Sequence, residues 1–262
     1  MGAGDMSRST AEQAYRSTSA APRRMPRWGW NMFLFFSFLS ALSAFKFVPP
    51  GLIQGFFPTL HEGLPAAWWA FVDEGIRRGA DHVAHHIENV GGTLAVHMIF
   101  GGLAVILIPL QVSRMWRRGD RRKHVYLGWA LVPVVTISAL TTPPISFNMD
   151  YPLWSEAGFA LGSIAWFGAL VMGIYWIRKG DRERHRRWMV MMAALCFGAV
   201  SFRLQLPILR LFFDQDVVFP YLGWTCWVPN VLVVAWWWQR DVARQRAGAV
   251  TDRPSITATP AE

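Results

Sequence analysis

Charge is scarce in this sequence. Only 16% of its 262 residues are Asp, Glu, Lys or Arg, against about 25% in soluble domains. The charges gather in short clusters and leave long apolar runs between them. A run of about 18 residues or more is long enough to cross a hydrocarbon layer roughly 30 Å thick. Cysteine is scarcer still. Cys196 and Cys226 are the only two, both fall in apolar runs, and their spacing matches no metal motif, so they read as small buried side chains. No Ser-His-Asp arrangement, zinc-protease motif or pair of intramembrane carboxylates stands out, which argues against a membrane hydrolase and leaves no catalytic residue to name. The net charge of +9 sits at the ends of apolar runs, where membrane topology explains it, and no nucleic-acid partner is expected.

What is abundant is apolar and aromatic: 53% hydrophobic residues, with 15 Trp and 18 Phe. Backbone inside a bilayer must satisfy its own hydrogen bonds, so each long run is expected to be helical. The expected fold is all-α, a polytopic membrane bundle of six transmembrane helices. The runs cover about 30–48, 93–113, 124–142, 154–177, 188–209 and 218–238. Residues 1–27 read as a disordered cytoplasmic tail, 28–238 as the membrane domain, and 239–262 as a polar cytoplasmic tail. The first run is expected to be a retained signal-anchor, with Ser43 and Ala44 leaving cleavage as the alternative. Pro49, Pro50 and Gly51 end it, and Pro143 and Pro144 are expected to stop the third helix. Within the longest connection, 66–90 has the spacing of an amphipathic helix lying at the outer interface.

Lys and Arg counts give an orientation. Five precede the first run, six lie in 114–123, six in 178–187 and four after 239, so 21 of the 26 fall on one side. That side is expected to face the cytoplasm, with both termini inside, in the bacterial inner membrane. The two inner connections also echo one another. Gly119-Asp120-Arg121 leads to His124, and Gly180-Asp181-Arg182 leads to His185, a spacing of 61. Helices 2–3 and 4–5 are therefore candidates for a doubled helical hairpin, with helices 1 and 6 at the periphery.

Ionisable residues inside a span are costly and mark candidate sites. His97 lies one turn inside helix 2, with Gly101 a turn further along the same face. A flat cofactor and close helix packing both account for that pattern. His124 and His185 open helices 3 and 5, either as interfacial residues or as a facing pair of ligands. His82, His85 and His86 share one face at i, i+3 and i+4, a spacing that holds a metal ion or forms a solvated face. Gln111 closes helix 2. Arg203 lies near the outer end of helix 5, where it is expected to snorkel outward or to pair with Asp150, Glu156, Asp214 or Asp216. His97 and Gln111 sit at opposite ends of helix 2. The rise from His97 to the inner end of that helix near Ser113, roughly 24 Å, prevents His97 from sharing one haem with His124 or His185.

Residues 92–211 resemble a bacterial membrane family catalogued as domain of unknown function 2306. The resemblance rests on His97 with Gly101-Gly102, Pro109-x-Gln111, His124 with Gly128, His185-Arg186-Arg187-Trp188-Met189, and Arg203-Leu204. It implies a multi-helix membrane domain and draws attention to His97, Gln111, His124, His185 and Arg203; it implies no chemistry.

Three functions stay open on the residues alone. One is a redox protein binding haem b or a quinone through membrane-boundary histidines. Another is a small-molecule binding or transport module around His97, Arg203 and Gln111. The third is a non-catalytic subunit whose polar groups hold helices together and whose partner is another membrane protein.

Overall fold

The computed structural model describes residues 27–45, 81–112 and 121–251. Among these residues there is no strand. The helices are α1 (Arg27–Phe45), α2 (Asp81–Val112), α3 (Arg121–Ser146), α4 (Leu153–Arg178), α5 (Arg182–Cys196), α6 (Gly198–Leu209), α7 (Gln215–Thr225) and α8 (Val228–Thr251). Among the described residues five stretches are long and apolar enough to cross a membrane: Val90–Gln111, Arg122–Ser146, Leu153–Arg178, Arg182–Leu209 and Gln215–Arg240. α1 takes in the first apolar run as far as Phe45. The all-helical polytopic bundle expected from the sequence is therefore the architecture found, and its spanning helices place it in a lipid bilayer.

Several boundaries differ from expectation for local reasons. α3 runs through Pro143 and Pro144 to Ser146. Proline lacks a donor, but its fixed φ is helical, so the two lost bonds do not turn the chain away. Ser146 Oγ donates to the Pro143 carbonyl at 3.1 Å. The span from Arg182 is two helices, α5 and α6, parted at Phe197, and the last span breaks at Cys226–Trp227 into α7 and α8. α8 stays helical to Thr251, well into the stretch expected to be only a polar tail. α2 begins at Asp81, with a kink at Val90 (φ −130°, ψ 18°). The expected interfacial helix at 66–90 thus overlaps α2 in its last turns, and its earlier part lies outside the described residues.

The chain divides into two units, residues 31–234 and residues 1–30 with 235–262. In the smaller unit the Arg240 guanidinium lies 4.0 Å over the Trp236 ring. In the larger unit the most extensive packing joins α2 to α3 and α4 to α5, and next α3 to α4. These are the two hairpins read from the sequence echo. The connection of the second is a tight one. Gly180 takes φ 80°, a left-handed turn that suits glycine, and the Asp181 carboxylate caps α5 by accepting from the Arg184 backbone N–H at 2.9 Å. The matching Gly119 and Asp120 lie outside the described residues.

Packing is dense in one half of the larger unit. Ala104, Ile108, Leu131, Val135, Ala169, Leu170 and Met192 are buried there, and Phe36 of α1 packs against them. Each hairpin closes this half with a small residue facing a long one. Gly128 of α3 faces Gln111 of α2, and Gly173 of α4 faces Met189 of α5. The long side chain comes from the first helix in one hairpin and the second helix in the other.

α7 approaches α4 closely, which corrects the expectation that the last span is peripheral. A Cβ at Gly158 would lie 2.8 Å from the Gly223 backbone. Two indoles cross the same contact. Trp224 Nε1 donates to the Trp154 carbonyl at 2.8 Å, and Trp227 Nε1 donates to the Gly223 and Gly158 carbonyls at 2.8 and 3.2 Å. Small residues and interhelical hydrogen bonds of this kind replace the hydrophobic drive that lipid does not supply between helices. Leu140, Ile164, Leu232 and Val233 are each more than half exposed. Such a surface suits acyl chains and would be a liability in water.

A cavity at one end of the bundle

The other half of the larger unit is hollow. A cavity of about 550 Å³ opens where α2, α4 and α7 begin and α3 and α6 end. Ligand pockets usually span roughly 300–1,000 Å³ and are mostly apolar with a few placed polar groups. This one fits that description: Leu94, Val105, Ile145, Phe159, Leu195, Phe202, Leu206 and Phe219 are in its wall, and His97 and Arg203 are its central polar groups.

His97 is positioned by α3. Its Nδ1 lies 3.0 Å from the Ser138 carbonyl and 3.3 Å from the hydroxyls of Thr141 and Thr142. Gly101, one turn along α2, leaves room for this approach, since a Cβ there would come within 3.2 Å of Ser138 Oγ and 3.8 Å of His97 Nε2. The close packing foreseen for this His and Gly pair is therefore present, and beside it lies an open volume. The polar face that meets His97 was missed in the sequence. Ser138, Thr141 and Thr142 recur at i, i+3 and i+4 on a span otherwise apolar, which is the signal that marks them.

Arg203 turns inward. Its Nη1 donates to the Ala199 carbonyl one turn back at 3.0 Å, and Nη2 approaches Met98 Sδ at 3.7 Å. Neither expected arrangement, outward snorkelling or a carboxylate pair, is the one adopted. The Cβ of a helical residue points toward the helix N-terminus, which here directs the guanidinium away from the α6 end and into the cavity. No carboxylate lies within ion-pair distance of it among the described residues.

The cavity mouth carries Tyr151, Arg210 and Gln215. Tyr151 stacks on Phe219, with centroids 4.7 Å apart and planes 15° apart. Burial, and then the nearby Asp216 carboxylate, push its phenol above the usual value of 10.0. Both cysteines, buried as expected, also line this space and are not in a disulfide.

The remaining candidates lie elsewhere. Gln111 Nε2 donates to the His124 backbone carbonyl at 2.9 Å, and its Oε1 is buried without a partner among the described residues. His185 Nδ1 donates to the Gly173 carbonyl at 2.8 Å. Gln111 and His185 are thus each tied within their own hairpin, no hydrogen bond joins His124 to His185, and Gln111 does not line the cavity. His82, His85 and His86 fall in the first turns of α2, and their side chains lie outside the description. Among the described residues no group of three or more His, Cys, Asp or Glu is placed to hold a metal ion. Gln205 is a helix tie: it accepts from Thr225 Oγ1 at 2.9 Å and donates to the Thr225 carbonyl at 3.1 Å. Asn230 forms a second tie, donating to Ser201 Oγ at 3.1 Å.

These features define a polytopic helical membrane protein with a polar-centred cavity in one half of its bundle. Residues 94–238 match the model of the family described as "Predicted membrane protein (DUF2306)", more than half of the chain, and the protein belongs to that family. The match runs past the 92–211 resemblance, through α7 and into α8. No curated protein and no solved structure matches the chain.

Proposed function

We propose that the cavity binds a lipophilic small molecule of the quinone class, with its ring held between His97 and Arg203. The observation that carries this reading is Arg203 itself. A guanidinium with no carboxylate partner among the described residues, inside a largely apolar wall, is costly to keep. An oxygen-bearing ligand that accepts from it offsets that cost. The apolar wall suits a ring and an isoprenoid chain arriving from the bilayer. Haem b is the weaker occupant, because His97 is the one imidazole lining the cavity among the described residues.

The excess of Lys and Arg on one side supports an inner-membrane location with both termini in the cytoplasm. The cavity then faces the outer leaflet, on the same side as the histidines of early α2. Those histidines remain a proposed metal site, to be tested by zinc binding to the full-length protein and its His85→Ala variant.

The quinone proposal is tested with protein in lipid nanodiscs. A short-chain ubiquinone is titrated in, and quenching of Trp fluorescence is followed, since Trp166 and Trp227 line the cavity. Saturable quenching that weakens in Arg203→Met supports the assignment. Linear, non-saturating quenching identical in the variant, equal to that of empty nanodiscs carrying a tryptophan peptide, overturns it.

A further inference from the structure

We infer that the pocket prefers the reduced, hydroxyl-bearing form of its ring ligand to the oxidised form, because His97 offers it an acceptor and not a donor. The inference rests on the quinone-class reading above and adds a redox-state selectivity to it.

The argument turns on where the imidazole proton sits. Nδ1 lies 3.0 Å from the Ser138 carbonyl. A carbonyl oxygen can only accept, so Nδ1 must carry the proton. Three hydroxyls also lie near Nδ1, Ser138 Oγ at 3.4 Å and those of Thr141 and Thr142 at 3.3 Å, all farther than the carbonyl that fixes the proton. Thr141 Oγ1 donates to the Ile137 and Ser138 carbonyls at 2.9 and 3.0 Å, and Thr142 Oγ1 donates to the Ser138 carbonyl at 3.0 Å. Their protons are committed to α3, and their oxygens are left to accept from Nδ1. Neutral imidazole holds one proton, so Nε2 presents a bare lone pair. No protein donor satisfies it among the described residues, and its neighbour is Gly101, which contributes no side chain.

Arg203 has the opposite polarity, with donors only. The two groups therefore ask for different things from one ligand head: a hydroxyl to meet Nε2, and an oxygen to meet the guanidinium. A quinol supplies both, since each hydroxyl donates and accepts. A quinone supplies only acceptors. Its carbonyl at Nε2 would set lone pair against lone pair, lose a hydrogen bond and leave the imidazole nitrogen dry. A forfeited bond of this kind is worth a factor of about ten in affinity.

The test compares three ligands on the full-length protein in nanodiscs under anaerobic conditions: a short-chain ubiquinol, the matching ubiquinone, and the quinol's 1,4-dimethyl ether. The quinol is expected to bind about tenfold tighter than the quinone. The ether keeps the ring and loses both donors, so it is expected to bind no better than the quinone. His97→Leu is expected to remove the preference by bringing the quinol's affinity down to that of the quinone. Should that variant fail to fold, the ether comparison on unaltered protein decides alone. Equal affinities for quinol and quinone, or an ether as tight as the quinol, overturn the inference and leave the binding site standing. Saturable binding of none of the three overturns the quinone-class reading itself, and the selectivity with it.

Discussion

Replacing Arg203 by Met separates a residue kept for its ligand from one kept for the fold. Met keeps an unbranched stem like that of Arg without the guanidinium, and it fills irregular apolar space well. In the structure the guanidinium has one good bond, to the Ala199 carbonyl at 3.0 Å, and one weak contact to Met98 sulfur at 3.7 Å. A single bond of this type contributes about 1.5–3 kcal/mol when charged. The effective penalty for holding an unpaired ion away from water is several kcal/mol, less where the group is only partly buried. The Ala199 carbonyl also keeps its place in the α6 ladder, so the substitution does not orphan it. The balance favours Met in the empty protein, with stability unchanged or raised by about 1 kcal/mol. Ligand affinity should move the other way, falling roughly 10- to 100-fold for loss of a charge-assisted bond. Thermal unfolding in detergent, followed by far-UV circular dichroism with and without ligand, reads both quantities. The reasoning fails if Arg203→Met lowers the unligated stability by more than about 2 kcal/mol, for that would make the guanidinium a structural pin.

Three further outcomes follow from local geometry. Gly158→Ala places a Cβ 2.8 Å from the Gly223 backbone, and since main chain cannot step aside, a loss of about 1–3 kcal/mol is expected; unchanged unfolding in nanodiscs would contradict the close α4–α7 crossing. Asp181→Ala removes the acceptor for the Arg184 N–H and should cost about 1 kcal/mol, which amide hydrogen exchange at the start of α5 would register as faster opening. Burial and Asp216 favour the neutral Tyr151 phenol, so the folded state holds its proton above the unfolded value of 10.0. Its contribution is complete below that pH and is lost as pH rises through the folded value. Unfolding scans between pH 9 and 11.5 should therefore show a decline that is shallower in Tyr151→Phe, and parallel curves would count against it.

Much of the architecture was legible because bilayer spans obey a length and polarity rule that a single sequence displays. His97 and Arg203 also stood out, since an ionisable residue in an apolar run is conspicuous whatever surrounds it. Their shared cavity did not. They are 106 positions apart, on α2 and α6, and the direction of Arg203 depends on a Cβ vector and an empty volume that no periodicity encodes. The Ser138, Thr141 and Thr142 set was overlooked for a different reason: hydroxyls are cheap in a helix because they bond back to their own carbonyls. The pairing imagined for His124 and His185 was an inference from a repeated motif. The structure ties the His185 ring to the Gly173 carbonyl, and no hydrogen bond joins it to His124. The breaks at Phe197 and Cys226–Trp227 were overlooked inside continuous apolar runs, although Gly198 directly follows the first and Pro229 lies just past the second.

The contrast between the filled half of the bundle and the hollow half gives the molecule two mechanical characters. Close-packed side chains transmit load and resist compression, whereas internal void is the volume that pressure removes. Under hydrostatic pressure, or lateral squeezing by a stiffened outer leaflet, the Leu131–Val135–Leu170 end should behave as an anchor. The opposite end would yield around its emptiness. An occupant wedged beside His97 would stiffen it. The state of the surrounding lipid and the occupancy of the pocket would then be coupled through volume alone, without any hinge or moving domain.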